Sequence, residues 1–365
     1  MYTYIDNIYM EKRGFEICKN PIKLQKELGK ELDNKLATAN YGIFGTKKND
    51  ETEPIDYIFY CFGTRIGNHT KTAKITDNAG VIKNIIKAFK KKDCKVQINM
   101  VLMGVNDPIS LNGEHLAKEL NKLAKEETCH SINLLGVSKA SVMYFDMLKH
   151  LDEDTKKKCN LHMIAAPFTG TKMASTKYMY EVIDSALKKL FGFAKPLYNL
   201  VHKIALTIYD SMNSHAHMDY DIALPDGVID NTPDKYDPNL IKNIYSEENI
   251  KAMNDMHDIH VYITGALKSP LTKLLRPTDF ALAVIDKIAM DGKSDGFVTR
   301  ETQESLGKTL KERDVKLDNF NEHYMDDTTH GLIYDPKKTE YVCCNIYNDF
   351  NDEDQSSLAK LKIHI

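Results

Sequence analysis

The stretch Ser131–Ser141, which reads SINLLGVSKAS, decides the fold of this chain. Its apolar run ends at Gly136, and a helical pattern begins directly after Ser138. A sharp turn from a strand into a helix lifts a serine hydroxyl out of the sheet edge, and small residues two positions before and after it let the two backbones approach closely. The G-x-S-x-A pattern is therefore typical of a serine nucleophile. On these residues alone, an ordinary strand-to-helix connection is the alternative.

Composition describes an ordinary globular protein. A chain of 365 residues with 42% hydrophobic and 28% charged residues can bury a large core. A net charge of −3 gives no argument for nucleic-acid binding. The seven cysteines include no CxxC pair, so neither a zinc site nor a disulfide framework is indicated, and the odd number fits reduced thiols in a cytosol.

The start of the sequence lacks the pattern of a signal peptide: no positively charged segment followed by an apolar one. No apolar run approaches the roughly 20 residues that a membrane span requires. We therefore expect a cytoplasmic protein, or one exported without a signal peptide, as a bacterial effector can be.

Apolar runs alternate with helical patterns along most of the chain. This alternation predicts a mostly parallel sheet covered by helices on both faces. The predicted strands lie at 57–62, 96–103, 132–135, 161–166 and 260–265, and the predicted helices at 78–91, 114–127 and 139–151.

The alternation also predicts how the chain is divided. Residues 1–54 are expected to form a helical extension, and residues 55–171 and 259–365 the α/β core. The intervening residues, 172–258, interrupt the alternation. Because an unstructured connection of that length is uncommon, we expect a helical lid or cap there.

Four segments, in this order, resemble the lipase and esterase branch of the α/β-hydrolase fold, and bacterial lipases in particular. They are an oxyanion-type turn at Tyr60–Arg65, the elbow at Gly136–Ala140, the segment Ile164–Thr171 and an acid loop at Ser294–Val298. The resemblance implies a mostly parallel central sheet flanked by helices, with a lid insertion. It also implies a Ser-Asp-His triad and no cofactor.

The triad of this fold follows the chain order Ser, Asp or Glu, His. With Ser138 as nucleophile and Asp295 as acid, the histidine has to come later in the chain. His323 is the preferred choice, because its segment NEHYMDD resembles the histidine segment of lipases. His330, in the turn-like sequence TTHG, is the alternative, and His364 is the penultimate residue of the chain.

The resemblance assigns the oxyanion hole to the backbone amides of Thr64 and Lys139. Phe62 departs from the family, since it stands where a histidine is usual. Lys139 stands where many lipases carry Met, Gln or Arg. That position contributes its N–H, so a long side chain is compatible when it points to solvent.

Residues 185–212 are rich in apolar and aromatic side chains with interspersed lysines. Such a segment fits a lid over the active-site cleft, and it also fits an amphipathic helix lying on a membrane surface. Whether the segment is a lid or a membrane-surface helix, its apolar character favours a lipid or other acyl-ester substrate.

No metal site is predicted, although the resemblance to bacterial lipases leaves open a calcium near the catalytic histidine with Asp326 or Asp327 as a ligand. The loop after Asp291 resembles an EF-hand, but Lys293 and Thr302 occupy positions where calcium needs oxygen ligands from Asp, Asn or Glu. A second group, His215, His217 and Asp219, lies in a polar stretch where histidines are usually unliganded.

The sequence thus predicts a serine hydrolase that cleaves carboxylic esters through an acyl-enzyme, with lipid esters as the favoured substrates. Two alternatives stay open. One is a non-catalytic protein of the same fold that binds a lipid or a protein partner. The other is a thioesterase or acyltransferase with the same triad.

Overall fold

The computed structural model describes residues 16–18, 54–61, 96–102, 109–171, 243–265, 292–330 and 335–346, with isolated positions within 81–89, 184–188 and 283–287. Thr64, the group His215, His217 and Asp219, and nearly all of segment 185–212 lie outside these residues. The predicted division into extension, core and insertion therefore stays a prediction.

The described strands form one seven-stranded sheet with the order β1-β3-β2-β4-β5-β6-β7. Only β1 is antiparallel to its neighbour, β3, and all other neighbours are parallel. This confirms the predicted α/β class, with a mostly parallel central sheet flanked by helices. The strands are β1 (Glu16–Cys18), β2 (Ile55–Cys61), β3 (Val96–Leu102), β4 (Cys129–Val137), β5 (Cys159–Ile164), β6 (Asp258–Gly265) and β7 (Phe320–Asp326).

Helices flank the sheet, and several begin with a capping side chain. Thr299 and Ser246 each accept a hydrogen bond from a backbone N–H in the first turn of the helix that follows. The helices are α1 (Ile109–Leu123), α2 (Lys139–Leu148), α3 (Glu153–Lys156), α4 (Glu247–Asn254), α5 (Arg300–Glu312) and α6 (Pro336–Cys344). None of the described helices is long and apolar enough to cross a membrane.

Two described segments bear on the predicted division of the chain. Residues 16–18, within the predicted helical extension, form strand β1 of the sheet. Helix α4, within the predicted insertion, packs its Ala252 and Met253 into the main apolar core. One described segment of each region, β1 and α4, therefore contributes to the sheet or its apolar core.

The two faces of the sheet carry different side chains, because successive residues of a strand point to opposite faces. One face is apolar: Leu134, Leu161 and Val261 belong to the main core together with residues of α1, α2 and α5. On β6, the alternate residues His260 and Tyr262 instead belong to a stack of histidine and tyrosine rings.

Candidate active site

Ser138 lies between strand β4 and helix α2 in an unusual backbone conformation. Its φ is 57° and its ψ is −125°, a region that non-glycine residues rarely occupy. Its N–H donates to the carbonyl of Ile164 at the end of β5 (2.8 Å), and its hydroxyl does not cap α2. A strained serine whose hydroxyl is not used by the helix is the geometry of a nucleophile elbow.

Gly136 explains why the elbow needs a small residue two positions before the serine. A Cβ at Gly136 would lie 2.7 Å from Cε2 of Tyr144, whose ring projects from α2. The Ser141 hydroxyl also donates to the Gly136 carbonyl at 2.8 Å. Strand and helix therefore approach as closely as the sequence pattern predicts.

Lys139 is the first residue of α2, so its backbone N–H lies at the amino end of a helix, where anions are stabilised. Its side chain does not point freely to solvent, since the residue is only 6% exposed. Thr64, the other predicted oxyanion donor, lies outside the described residues.

Asp295 is fully buried, and both oxygens of its carboxylate accept hydrogen bonds. Oδ1 accepts the N–H groups of Phe297 (3.0 Å) and Val298 (2.9 Å), while Oδ2 faces His330 and Thr264. Burial raises the pKa of this carboxyl, but the neighbouring His330 and the donated hydrogen bonds outweigh burial and lower the pKa overall. The side chain is therefore an anion near neutral pH.

The loop that carries Asp295 is anchored by a second buried carboxylate. Asp286 Oδ1 accepts both the backbone N–H (2.7 Å) and the hydroxyl (2.8 Å) of Ser294. The Ser294 hydroxyl oxygen in turn accepts a hydrogen bond from the N–H of Gly296 at 2.9 Å. These bonds fix the turn on both sides of Asp295.

His330 contacts Asp295 through both its ring and its backbone. Its Nδ1 lies 2.9 Å from Asp295 Oδ2, and its N–H donates to the Asp295 carbonyl at 2.8 Å. Because an ionised carboxylate can only accept, Nδ1 carries the proton and Nε2 is left as the acceptor nitrogen. A histidine in this tautomer can act as a general base.

His323, the preferred choice from the sequence, has no described hydrogen bond to Asp295. It lies within β7, opposite Tyr262 of β6. Its Nε2 lies 2.9 Å from His260 Nδ1, and its Nδ1 lies 3.1 Å from the Tyr341 hydroxyl. Both ring nitrogens are thus occupied, and the histidine paired with the acid is the alternative, His330.

Ser138, Asp295 and His330 follow β4, β6 and β7, so all three come after carboxyl ends of parallel strands, at one edge of the sheet. Ligands bind at this edge in open α/β sheets. In the EF-hand-like loop, both Asp295 oxygens accept hydrogen bonds from N–H or O–H donors. No group of His, Cys, Asp and Glu in the described parts of the chain could hold a metal ion.

Sequence reasoning missed two residues that bond to Asp295. Thr264 donates its hydroxyl to Asp295 Oδ2 at 2.6 Å, and Gln303 Nε2 lies 3.4 Å from the same oxygen. A polar residue at the end of the apolar strand β6 is the one signal that could have indicated Thr264. Gln303 carries no comparable signal in a polar helix.

No protein-family model matches the chain, and no curated protein matches its sequence. Similar solved structures include the mature Bacillus licheniformis lipase BlEst2, with 12% identity and a TM-score of 0.45 over 84% of this chain and 98% of that one. A lipase-esterase related protein of Clostridium acetobutylicum is 11% identical, with a TM-score of 0.38 over 85% of this chain and 99% of that one. A Staphylococcus aureus protein described as a possible esterase is 8% identical, with a TM-score of 0.41 over 96% and 94%.

Proposed function

We propose that this chain is a serine hydrolase that cleaves carboxylic esters through an acyl-enzyme, with Ser138, His330 and Asp295 as its triad. The observation that carries the proposal is the hydrogen bond between His330 and the buried Asp295, at the sheet edge where Ser138 adopts a positive φ. The chain order of the three residues is the one that this fold uses.

Each residue has a defined chemical role in the proposed reaction. The Ser138 hydroxyl attacks the ester carbonyl while His330 Nε2 takes its proton, and the histidine later returns that proton to the leaving alcohol. Asp295 holds the tautomer with the proton on Nδ1 and stabilises the imidazolium that forms. A water molecule, activated by the same histidine, then releases the acid.

The developing oxyanion requires hydrogen-bond donors near Ser138. The N–H of Lys139, at the amino end of α2, is suited to this role. We assign the second donor to the Thr64 N–H on the resemblance alone. Each such donor typically lowers the barrier by about 3 kcal/mol.

Lipid esters are the substrate class that we favour. The argument is the apolar, lysine-containing segment 185–212, whose composition fits a lid or a peripheral membrane contact. A thioesterase or acyltransferase would use the same triad, so a panel of acyl esters and thioesters of increasing chain length has to decide between them.

The test is labelling of the purified protein with a fluorescent fluorophosphonate. We expect the wild type to be labelled and Ser138→Ala to be unlabelled while keeping its circular dichroism spectrum and melting temperature. Ser131→Ala is the matched control, because that serine lies near the other end of β4 and bonds to Asp56. It should be labelled like the wild type.

A folded wild type that stays unlabelled in buffer, in detergent and with lipid vesicles would contradict the proposal. That result would favour the non-catalytic alternative. Lipid binding that survives Ser138→Ala would then be the property to measure.

A further inference from the structure

The acid of the proposed triad shares one carboxylate oxygen among three side chains. Asp295 Oδ2 lies 2.9 Å from His330 Nδ1, 2.6 Å from Thr264 Oγ1 and 3.4 Å from Gln303 Nε2. All but the histidine are buried, with Asp295 and Gln303 at 0% exposure and Thr264 at 1%. No water therefore competes for this oxygen on the Thr264 and Gln303 side.

The backbone fixes the orientation of the Gln303 carboxamide. Its Oε1 lies 2.7 Å from the Thr264 N–H, which can only donate. Its Nε2 lies 3.3 Å from the Thr264 carbonyl and 3.2 Å from the Val298 carbonyl, which can only accept. The flipped amide would reverse all three bonds, so the NH₂ group has to face Asp295.

Gln303 also accepts the hydrogen bond from a β6 backbone N–H that has no partner on the neighbouring strand β5. Strand β5 ends at Ile164, opposite Tyr262, so no residue of β5 lies opposite Thr264. Since an unpaired buried N–H is costly, Gln303 completes the hydrogen bonding of β6 beyond the end of β5. Helix α5 is thereby tied to the strand end next to Asp295.

The Thr264 hydroxyl has one proton and two neighbouring acceptors. The Asp295 carboxylate is charged and lies at 2.6 Å, whereas Gln303 Oε1 is neutral and lies at 3.0 Å. Hydrogen bonds to ionised acceptors are shorter and stronger, so the proton lies toward Asp295.

The residue after Thr264 ties the same strand end to the histidine loop. Gly265 exchanges backbone hydrogen bonds with Thr328, two residues before His330. The acid and the histidine are thus both held relative to the end of β6.

We infer that Thr264 and Gln303 are positioning residues of the triad: together they hold the Asp295 carboxylate in the orientation in which Oδ2 receives the hydrogen bond from His330 Nδ1. This inference rests on the proposed function for its effect on catalysis. Its structural part, the geometry of the Asp295–His330 bond, can be measured without any substrate.

The experiment compares Thr264→Val, which keeps the side-chain shape, with Thr264→Ser, which keeps the hydroxyl. We record the far-downfield proton resonance of the His330 Nδ1–H by NMR, together with kcat and KM on an acyl ester. In Thr264→Val we expect this resonance to shift or broaden and kcat to fall by up to about 100-fold at nearly constant KM, the cost of a misplaced catalytic group. Thr264→Ser should restore both.

Two further variants complete the test. Gln303→Glu replaces the NH₂ group by an oxygen that would face only acceptors, so it should disturb the resonance more than Thr264→Val does. Thr339→Val is the matched control, because this buried threonine donates to the Asp335 carbonyl in α6, outside the acid loop. It should change neither readout.

The outcomes separate the two proposals. A resonance that shifts in Thr264→Val and recovers in Thr264→Ser, in a protein that hydrolyses no ester, keeps the positioning inference and overturns the proposed function. An active wild type whose kcat and resonance are unchanged in Thr264→Val overturns the inference alone. An equal fall in kcat in Thr264→Val and Thr264→Ser also overturns the inference, because losing the Thr264 hydroxyl would then not explain the fall.

Discussion

One histidine near the sheet edge and a cluster of three histidines within the sheet have opposite environments in this protein. His330, in the loop after β7, bonds to the buried carboxylate of Asp295. The histidine cluster, defined as His162, His260 and His323, lies on one face of β5, β6 and β7, where the rings stack on each other and on Tyr262. The comparison teaches that the position of a histidine in the chain order does not decide its role: what distinguishes His330 is its hydrogen bond to a buried loop carboxylate.

Burial determines the protonation of the most deeply buried histidines of this cluster. His162 is fully buried, and burial lowers its pKa well below the ordinary value, with His260 and His323 adding to the effect. Burial also lowers the pKa of His260, although Asp258 opposes it. His162 and His260 are therefore neutral in the folded protein near neutral pH. His260 Nδ1 bonds to His323 Nε2, and the Nδ1 atoms of His162 and His323 bond to the hydroxyls of Tyr262 and Tyr341.

The largest expected difference between the two groups is in catalysis. His330→Ala should lower kcat of ester hydrolysis by about 10⁶-fold, since it removes the general base, whereas His323→Gln should keep most of the activity. Steady-state kinetics of the two variants, each checked for an intact melting curve, measures this directly. A large loss in His323→Gln with an active His330→Ala would reverse the assignment.

The sharp turn at Ser138 and the loop around Asp295 could be predicted from the sequence because their signals are local. Gly136, Ser138 and Asp295 lie in short motifs whose backbone geometry the residue types themselves require. The histidine was harder, because β7 reads FNEHYMD and has no apolar alternation. Strand β7 lies at the edge of the described sheet, and most of its residues are exposed. Because charged side chains are tolerated there, the sequence does not show where this strand begins and ends.

Thr264 and Gln303 could not be found from the sequence for a different reason. Their contact joins residues 39 positions apart and depends on where β5 ends relative to β6. Such a bond follows from sheet register and helix docking, which a single sequence does not display. The likeness of segment NEHYMDD to a lipase motif likewise does not show which way the His323 ring faces, and in the structure this ring bonds to His260 and Tyr341.

A smaller effect concerns stability toward acid. Histidines kept neutral by burial bind protons more readily after unfolding, so the unfolded state takes up more protons below the ordinary histidine pKa of about 6.5. The stabilisation is complete above that pH and is lost as the pH falls, by up to about 1.4 kcal/mol per pH unit for each such histidine. Urea unfolding between pH 8 and pH 5 measures the slope.

The matched variant for this measurement is His162→Phe, which keeps a ring at the most deeply buried position of the cluster. It should make the free energy of unfolding less dependent on pH than in the wild type. An unchanged slope would mean that the cluster does not govern acid stability.

The smallest expected effect tests whether the two histidine groups are independent. Tyr341→Phe removes the hydroxyl that lies 3.1 Å from His323 Nδ1 and should lower the free energy of unfolding by about 1 kcal/mol, the usual net value of one hydrogen bond. Ester hydrolysis should be unchanged, because neither residue contacts Asp295 or His330 through a hydrogen bond that the structure describes. Parallel urea unfolding and kinetics measure both quantities. A clear fall in kcat would mean that β7 transmits a change in the cluster to the loop of His330, and the two groups would then have to be treated as one coupled unit.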